Sequence, residues 1–206
     1  MKRFSAIFLW LGIVVSTIAV VLFLLIYYPV ILAELSYLYS NKGKNVAVVS
    51  QNEKAKNKNV IVPRDEDFGI VIPKINANAK VIKDVNPLNS SEYQWALTKG
   101  VAHAKGSVYP GKFGNVFLFS HSSVDFYEAA RYNSVFYLLS KLEKGDDIYI
   151  FYNKAKIKYT VTGKKIVGAN AVSYLQNTPG KHQLTLMTCW PPGTTLNRLL
   201  IIAETK

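Results

Sequence analysis

From Phe4 to Ala33 the chain carries no charged side chain, and the run from Ile7 to Ile26 is almost wholly apolar. Nothing else in the sequence restricts its fold so tightly. A helix of about 20 residues, rising about 1.5 Å per residue, covers roughly 30 Å, the hydrocarbon thickness of a bilayer. A cleavable secretory signal has a shorter apolar region, about 7–15 residues, and a small-residue cleavage site. Leu32-Ala33-Glu34 is a poor site of that kind. The expectation is an uncleaved transmembrane anchor over residues 6–28. Tyr27 and Tyr28 sit where interfacial aromatics belong, and Pro29 suits an end to the helix. Lys2 and Arg3 assign residues 1–5 to the cytoplasm, although Lys42 and Lys44 follow the other end. Long domains cross largely regardless of such charges, so the remainder is expected outside the bacterial cell membrane, on a single-pass anchor.

Of the 206 residues, 25 are basic and 13 acidic, a net charge of +12. Setting aside Lys2 and Arg3, 23 basic and 13 acidic residues leave +10 beyond the anchor. Such a surface suits anionic phospholipid or cell-wall polymer. The lysines are scattered and are not interleaved with aromatics as in a nucleic-acid module, so no nucleic-acid partner is expected.

Residues 29–67 read as an extracytoplasmic stalk. Ser40 to Asn59 is rich in Asn, Lys, Ser and Gln, and its apolar patch Val46–Val49 is too short to carry a fold of its own. From Phe68 the texture changes, and residues 68–206 read as one mostly β domain. Short β-branched and aromatic runs recur at 69–72, 80–85, 115–120, 148–152, 156–162, 183–188 and 196–203, separated by Gly, Pro and Asn turns. That spacing indicates a mostly antiparallel sandwich or barrel. Phe126, Ala129, Ala130, Val135, Leu138, Leu139 and Leu142 indicate one or two short helices between Ser122 and Leu142.

The only cysteine, Cys189, closes the run Leu184-Thr185-Leu186-Met187-Thr188-Cys189. A lone thiol has no internal disulfide to form. Alternation puts Thr185, Met187 and Cys189 on one face of that strand. Pro191-Pro192-Gly193 ends it, and a return strand would bring Arg198 back near Cys189. His121 ends a second apolar run, Asn115–Ser120. A thiolate attacks a carbonyl, an imidazole passes a proton to the leaving amine, and a guanidinium stabilises negative oxygen. These three suffice for acyl transfer at an amide bond through a thioester.

Thr185-Leu186-Met187-Thr188-Cys189, with Arg198 following, resembles the TLxTC signature of the sortase family. Gly114-Asn115, the apolar run and His121 resemble that family's histidine segment, and Phe68–Ile75 resembles the stretch that opens its catalytic domain. The resemblance covers about residues 68–204. It implies a closed eight-stranded sortase-type β-barrel with short helices. It also implies a cysteine transpeptidase that cleaves an LPxTG-like C-terminal sorting signal and transfers the protein to an amine of peptidoglycan precursor or of a pilin. By matching positions, Cys189 is the nucleophile, His121 the general acid and base, and Arg198 the substrate and oxyanion stabiliser. Thr188 and Trp190, flanking the thiol, are the expected substrate-binding residues, with Trp190 either walling a groove or simply packing.

Ser120 stands where relatives commonly have Gly, and Cys189–Thr194 resembles the loop of class D sortases. The chain ends at Lys206 without a second membrane segment, which leans toward wall anchoring over pilus assembly. No convincing inhibitory lid precedes the barrel, although Asp65–Phe68 could occlude a groove. His103 is expected to order a loop, His182 to be solvated, and Asp146 and Asp147 to form a polar turn. No acidic cluster has a Ca²⁺-loop spacing, and neither a metal nor a cofactor is expected. The main competing reading is a non-enzymatic, membrane-tethered β domain that binds wall components. An L,D-transpeptidase is a weaker rival, because it sets its cysteine in a different local motif.

Overall fold

The computed structural model describes residues 2–40, 47–50, 60–122, 135–170, 174 and 180–205. Helix α1 (Lys2–Ser40) is followed by two short strands, β1 (Ala47–Val48) and β2 (Val60–Ile61). The strands β3 (Phe68–Ile72) and β4 (Ala77–Val85) lead through helix α2 (Ser90–Lys99) to β5 (Val101–Ala104) and β6 (Gly114–Phe119). A 3₁₀ turn at Tyr137–Lys141 precedes β7 (Asp147–Tyr152), β8 (Ala155–Gly168), β9 (His182–Trp190) and β10 (Asn197–Glu204). Eight strands close into a barrel in the order β10-β8-β7-β3-β4-β5-β6-β9. The barrel is therefore the one expected, but it is mixed: β4–β5 and β6–β9 are parallel.

Parallel neighbours cannot be joined by a tight turn and need a crossover. The β4–β5 crossover is α2, a helix whose sequence signal is a capping arrangement rather than a strong apolar stripe. Asn89 accepts from the Glu92 amide at 3.2 Å, and Glu92 in turn accepts from the Asn86 amide at 2.8 Å. The helix and β5 both lie between the expected strands 80–85 and 115–120, where short, mixed segments show no clear period.

Alternation along each strand sorts the two faces. Ile70, Ile72, Val116, Leu118, Ile148, Ile150, Leu184, Leu186, Leu199 and Ile201 point into the barrel and are fully or almost fully buried. Phe136, Leu139 and Leu142 plug one end, so Leu139 and Leu142 are buried as the apolar pattern required. There the described chain forms only the 3₁₀ turn; Phe126, Ala129 and Ala130 lie outside the described residues. A second cluster sits on the barrel's outer face, where α2 lays Ala96 and Leu97 over Ala102, Ala104, Phe117 and Phe119.

Two expectations for the N-terminal part change. Helix α1 does not stop at Pro29 but runs to Ser40. Its last turns rest on the barrel: Glu34 pairs with Lys141 at 3.2 Å, Lys141 lies 5.5 Å over the Tyr37 ring, and Tyr37 packs against the core. Nor is the following segment only a stalk. Ala47–Val48 pairs in parallel with Val60–Ile61, and Val48 packs with buried Val71 and Phe151 on the outer face of β3 and β7. Lys156 Nζ donates to the Val48 carbonyl at 2.8 Å, which holds the patch in place. Burial of those two outward side chains on β3 and β7 is what recruits the short patch.

Asp65, in the segment that could have covered a groove, staples the start of β3. Its carboxylate accepts from the Asp67 and Phe68 amides at 2.8 and 2.9 Å and pairs with Lys80 at 3.0 Å. Burial alone would raise its pKa, but these donors hold the carboxyl below its ordinary value. Gly100 marks a second tight place, where a Cβ would fall 2.2 Å from the Lys80 carbonyl oxygen. Gly100→Ala therefore forces β4 and β5 apart. It is expected to cost about 1–3 kcal/mol in a denaturant titration, as overpacking typically does.

Candidate active site

The parallel register of β6 and β9 runs from Gly114↔His182 to Phe119↔Met187. It persists past the ladder: the Ser120 amide donates to the Met187 carbonyl at 3.1 Å, and Thr188 Oγ1 donates to the Ser120 carbonyl at 2.9 Å. The ladder ends at Phe119↔Met187, and His121 follows two residues past the end of β6, on the flank of β9. On the other flank, β10 pairs with β9 so that Arg198 is the direct partner of Cys189. Register partners project to the same side of a sheet. Cys189 and Arg198 thus come from two adjacent strands, at one end, on the outer face, and His121 follows the end of the strand on the other flank of β9. The interior parity of Leu184, Leu186 and Leu199 is what turns Cys189 and Arg198 outward.

Cys189 is a free, half-buried thiol, so it is held by packing yet reachable. Arg198 is steered by its own loop: Nη1 donates to the Thr195 and Asn197 carbonyls at 3.1 and 3.0 Å. Both bonds use one nitrogen of a group with five N–H donors, which leaves a fork for an oxygen ligand.

Thr188 and Trp190 occupy the other side of β9. Thr188 is 3% exposed and its hydroxyl is committed to Ser120, so its part in the site is to tie the ends of β6 and β9 together. Trp190, partnered with Asn197, packs against the barrel core while staying half-buried. Neither shares the face that presents the thiol.

Residues behind the site carry contacts the sequence did not announce. Asn115, 1% exposed in an otherwise apolar strand, accepts from Thr185 Oγ1 at 2.9 Å and donates through Nδ2 to the Tyr174 carbonyl at 3.0 Å. It thereby locks β6 to β9 and tethers the segment that carries Tyr174. The signal was the polar residue in the Gly114-Asn115 pair that opens an apolar run.

His103 does order a loop, and it does so fully buried. Its Nδ1 accepts from the Asp84 amide at 3.3 Å, which leaves the proton on Nε2, facing the Val108 carbonyl at 3.2 Å and Ser107 Oγ at 2.9 Å. Ser107 Oγ then donates to the Ala104 carbonyl and accepts from the Phe117 amide, so the histidine braces β5 against β6. Tyr109 stacks on the ring at 4.9 Å and hydrogen-bonds Asp84, a carboxylate that pushes the phenol up to about 12. Burial holds the His103 pKa below its ordinary value, outweighing the Val108 bond and the Asp84 charge. His182, expected to be solvated, instead stacks on Phe113 at 4.1 Å, and its Nδ1 lies 3.0 Å from the Lys112 carbonyl. Asp146 and Asp147 each hold a lysine, Lys74 and Lys158, at 2.9 and 2.7 Å. Among the described residues, no group of three His, Cys, Asp or Glu side chains is arranged to hold a metal.

Residues 70–206 match the profile of the sortase domain. Sortase D of Bacillus subtilis (strain 168) is 30% identical over 144 residues, covering 69% of this chain and 64% of that protein. Sortase A of Listeria monocytogenes is 30% identical over 135 residues, covering 66% of this chain and 54% of that protein. The chain thus spans somewhat less than two thirds of the curated relatives it matches. Among solved structures, sortase C-1 from Actinomyces oris aligns with a TM-score of 0.57 at 28% identity, over 69% of this chain and 75% of that one. Sortase A from Corynebacterium diphtheriae aligns with a TM-score of 0.57 at 27% identity, over 70% of this chain and 62% of that one.

Two measurements test the support behind the site. Thr188→Val leaves the Ser120 carbonyl buried without its donor, at an expected cost of about 1–3 kcal/mol. Amide exchange at Ser120 should quicken with it, because the same strand end is released. For His103 the folded-state pKa is depressed, so the unfolded chain binds the proton more readily. Its contribution to stability is present above the ordinary value of about 6.5 and is lost as pH falls below it. The wild-type melting temperature should fall over that range, and a His103→Phe variant should lose that component of the pH dependence.

Proposed function

Because the chain belongs to the sortase family, we propose that it is a membrane-anchored cysteine transpeptidase. It cleaves an LPxTG-like C-terminal sorting signal and passes the protein to an amine of the cell wall or of a pilin. The observation that carries the reading is the register of β9 with β10, in which Arg198 is the direct partner of Cys189, while His121 follows two residues past the end of β6 on the other flank of β9.

In the first half-reaction the Cys189 sulfur, as thiolate, attacks the carbonyl of the threonine in the signal. The oxyanion that forms is met by the unused donors of the Arg198 fork, which stabilise charge present only in the transition state. His121, as imidazolium, gives its proton to the departing glycine amine, and the C–N bond breaks to leave a thioester on Cys189. In the second half the acceptor amine attacks the thioester, neutral His121 takes up the amine proton, and the C–S bond breaks to restore the thiolate. The carbonyls of Thr195 and Asn197 hold one guanidinium nitrogen, which orders the fork before substrate arrives and reduces the entropy lost on binding.

The domain plan supports the same reading. The apolar stretch Ile7–Tyr28, with a mean hydropathy of 2.8, has the length and composition to cross a bilayer. With Lys2 and Arg3 inside, the barrel stands on the outer surface, where exported proteins emerge.

The test is single-turnover mass spectrometry with a library of LPxTG-like peptides and a primary-amine acceptor. Wild type is expected to gain the acyl mass and lose it on addition of amine, while Cys189→Ala shows neither. His121→Ala should lower kcat/KM by about 10²–10⁴-fold and Arg198→Ala by about 10²–10³-fold. A folded wild-type protein that acylates with no peptide, yet still binds isolated wall material, would overturn the enzymatic reading in favour of a binding domain.

A further inference from the structure

Where α1 meets the barrel, a cleft of about 230 Å³ opens between Ala33 and Ser36 of the helix and Arg64, Asn76 and Tyr137 of the domain. It lies away from the strand ends that carry Cys189, and nothing in the proposed reaction uses it. Arg64 is exposed there, and among the described residues no carboxylate pairs with its guanidinium. The acid nearest in sequence, Asp65, is spent on Lys80 at 3.0 Å. The acid on the facing helix, Glu34, is spent on Lys141 at 3.2 Å. The cleft is therefore cationic at its mouth.

Its wall is ordered. The Arg64 amide donates to Asn78 Oδ1 at 2.8 Å, and Asn78 Nδ2 donates to the Val62 carbonyl at 2.7 Å. These bonds fix the backbone from which the guanidinium extends, while its flexible stem lets the head reach several ångströms. Asn76 turns the chain beside it in the left-handed region (φ 51°). On the facing wall the Ser36 hydroxyl donates to the Ala33 carbonyl at 2.8 Å, an intrahelical bond that a charged oxygen can displace.

Depth decides what such a cleft meets. The apolar stretch ends at Tyr28. At about 1.5 Å per residue, Ala33 and Ser36 lie about 8 and 12 Å beyond it along the axis. The headgroup layer extends about 5–8 Å past the hydrocarbon on each side, so an arginine at this level reaches into it. We infer that the Arg64 cleft is a binding site for the phosphodiester of an anionic phospholipid headgroup, which locks the barrel at one height and angle on its helix. The inference rests on reading Ile7–Tyr28 as a membrane span.

The full-length protein, purified in an uncharged detergent, tests it by native mass spectrometry and thermal melting. Probes are phosphatidylglycerol, phosphatidylcholine and inorganic phosphate. Expected is one retained phosphatidylglycerol per chain and a rise in melting temperature that neither other probe matches. Arg64→Gln should weaken that binding by about tenfold or more, the loss of a charge-assisted contact. Ala33→Leu, which fills the cleft from the helix side, should weaken it too, and both variants should keep wild-type peptide cleavage in detergent. Equal phosphatidylglycerol uptake by wild type and both variants would sink the site. An equal melting shift with inorganic phosphate would reassign it to free anions, and one with phosphatidylcholine would remove the anionic preference. Flotation on phosphatidylcholine vesicles separates the premise from the inference: a chain that fails to float lacks the membrane span itself.

Discussion

The parallel pairing of β6 with β9 is the contact on which the rest of the molecule depends. A parallel pair needs a long crossover, and here that crossover contains the 3₁₀ turn, β7 and β8. Those strands in turn pair with β3 and β10 and close the barrel. Asn115 with Thr185, and Ser120 with Thr188, fix the pair at both ends through buried hydrogen bonds. Each bond satisfies a polar group that would otherwise be stranded in an apolar sheet, which makes a shifted register costly. His121 follows two residues past the end of β6, on this flank of β9.

The site's position on the outer face follows from the barrel's interior. Leu184, Leu186, Leu199 and Ile201 must face inward to fill a closed barrel, so Cys189 and Arg198, of opposite parity, face out. An outward thiol needs shelter, and the neighbouring outer surface supplies it. Helix α2 covers the outward side chains of β5 and β6, and Met187 packs into the same cluster two residues before the thiol. His103 and Ser107 hold β5 and β6 together from behind. The outer face of this barrel is thus a second, smaller core with the candidate site at its edge.

At the opposite extreme of the chain, the helix and the domain are not independent bodies joined by a loose tether. Glu34, Tyr37 and Lys141 bind the last turns of α1 to the 3₁₀ turn that plugs the barrel. The short pair β1–β2 adds a patch on the outer face of β3 and β7. On the proposed reading of α1 as a membrane anchor, a domain attached in this way keeps a defined attitude to the bilayer from which its proposed substrates emerge.

Much of this was legible in the residues. The uncharged run from Phe4 to Ala33 marked one long helix, and the structure forms it. Short β-branched and aromatic runs between turn residues marked seven of the eight barrel strands, because such side chains fill a sheet that packs on a core. A thiol ending one such strand, with a histidine and an arginine ending or opening others, announced acyl-transfer chemistry by residue type alone. What alternation cannot encode is which strand lies beside which, since the pattern reads the same in any order and direction. The parallel pairs were missed for that reason, and β5 and α2 because their short, mixed segments show no clear period. So was the helix beyond Pro29, whose last turns are held by contacts with residues more than a hundred positions away. Thr188 and Trp190 show the limit most clearly: adjacent to the thiol in sequence, they face the other side of the strand. Chemistry and element type were therefore written locally, in charge, period and side-chain identity. Neighbours, register and facing were decided by burial and hydrogen bonding between distant segments, which only the closed barrel brings together.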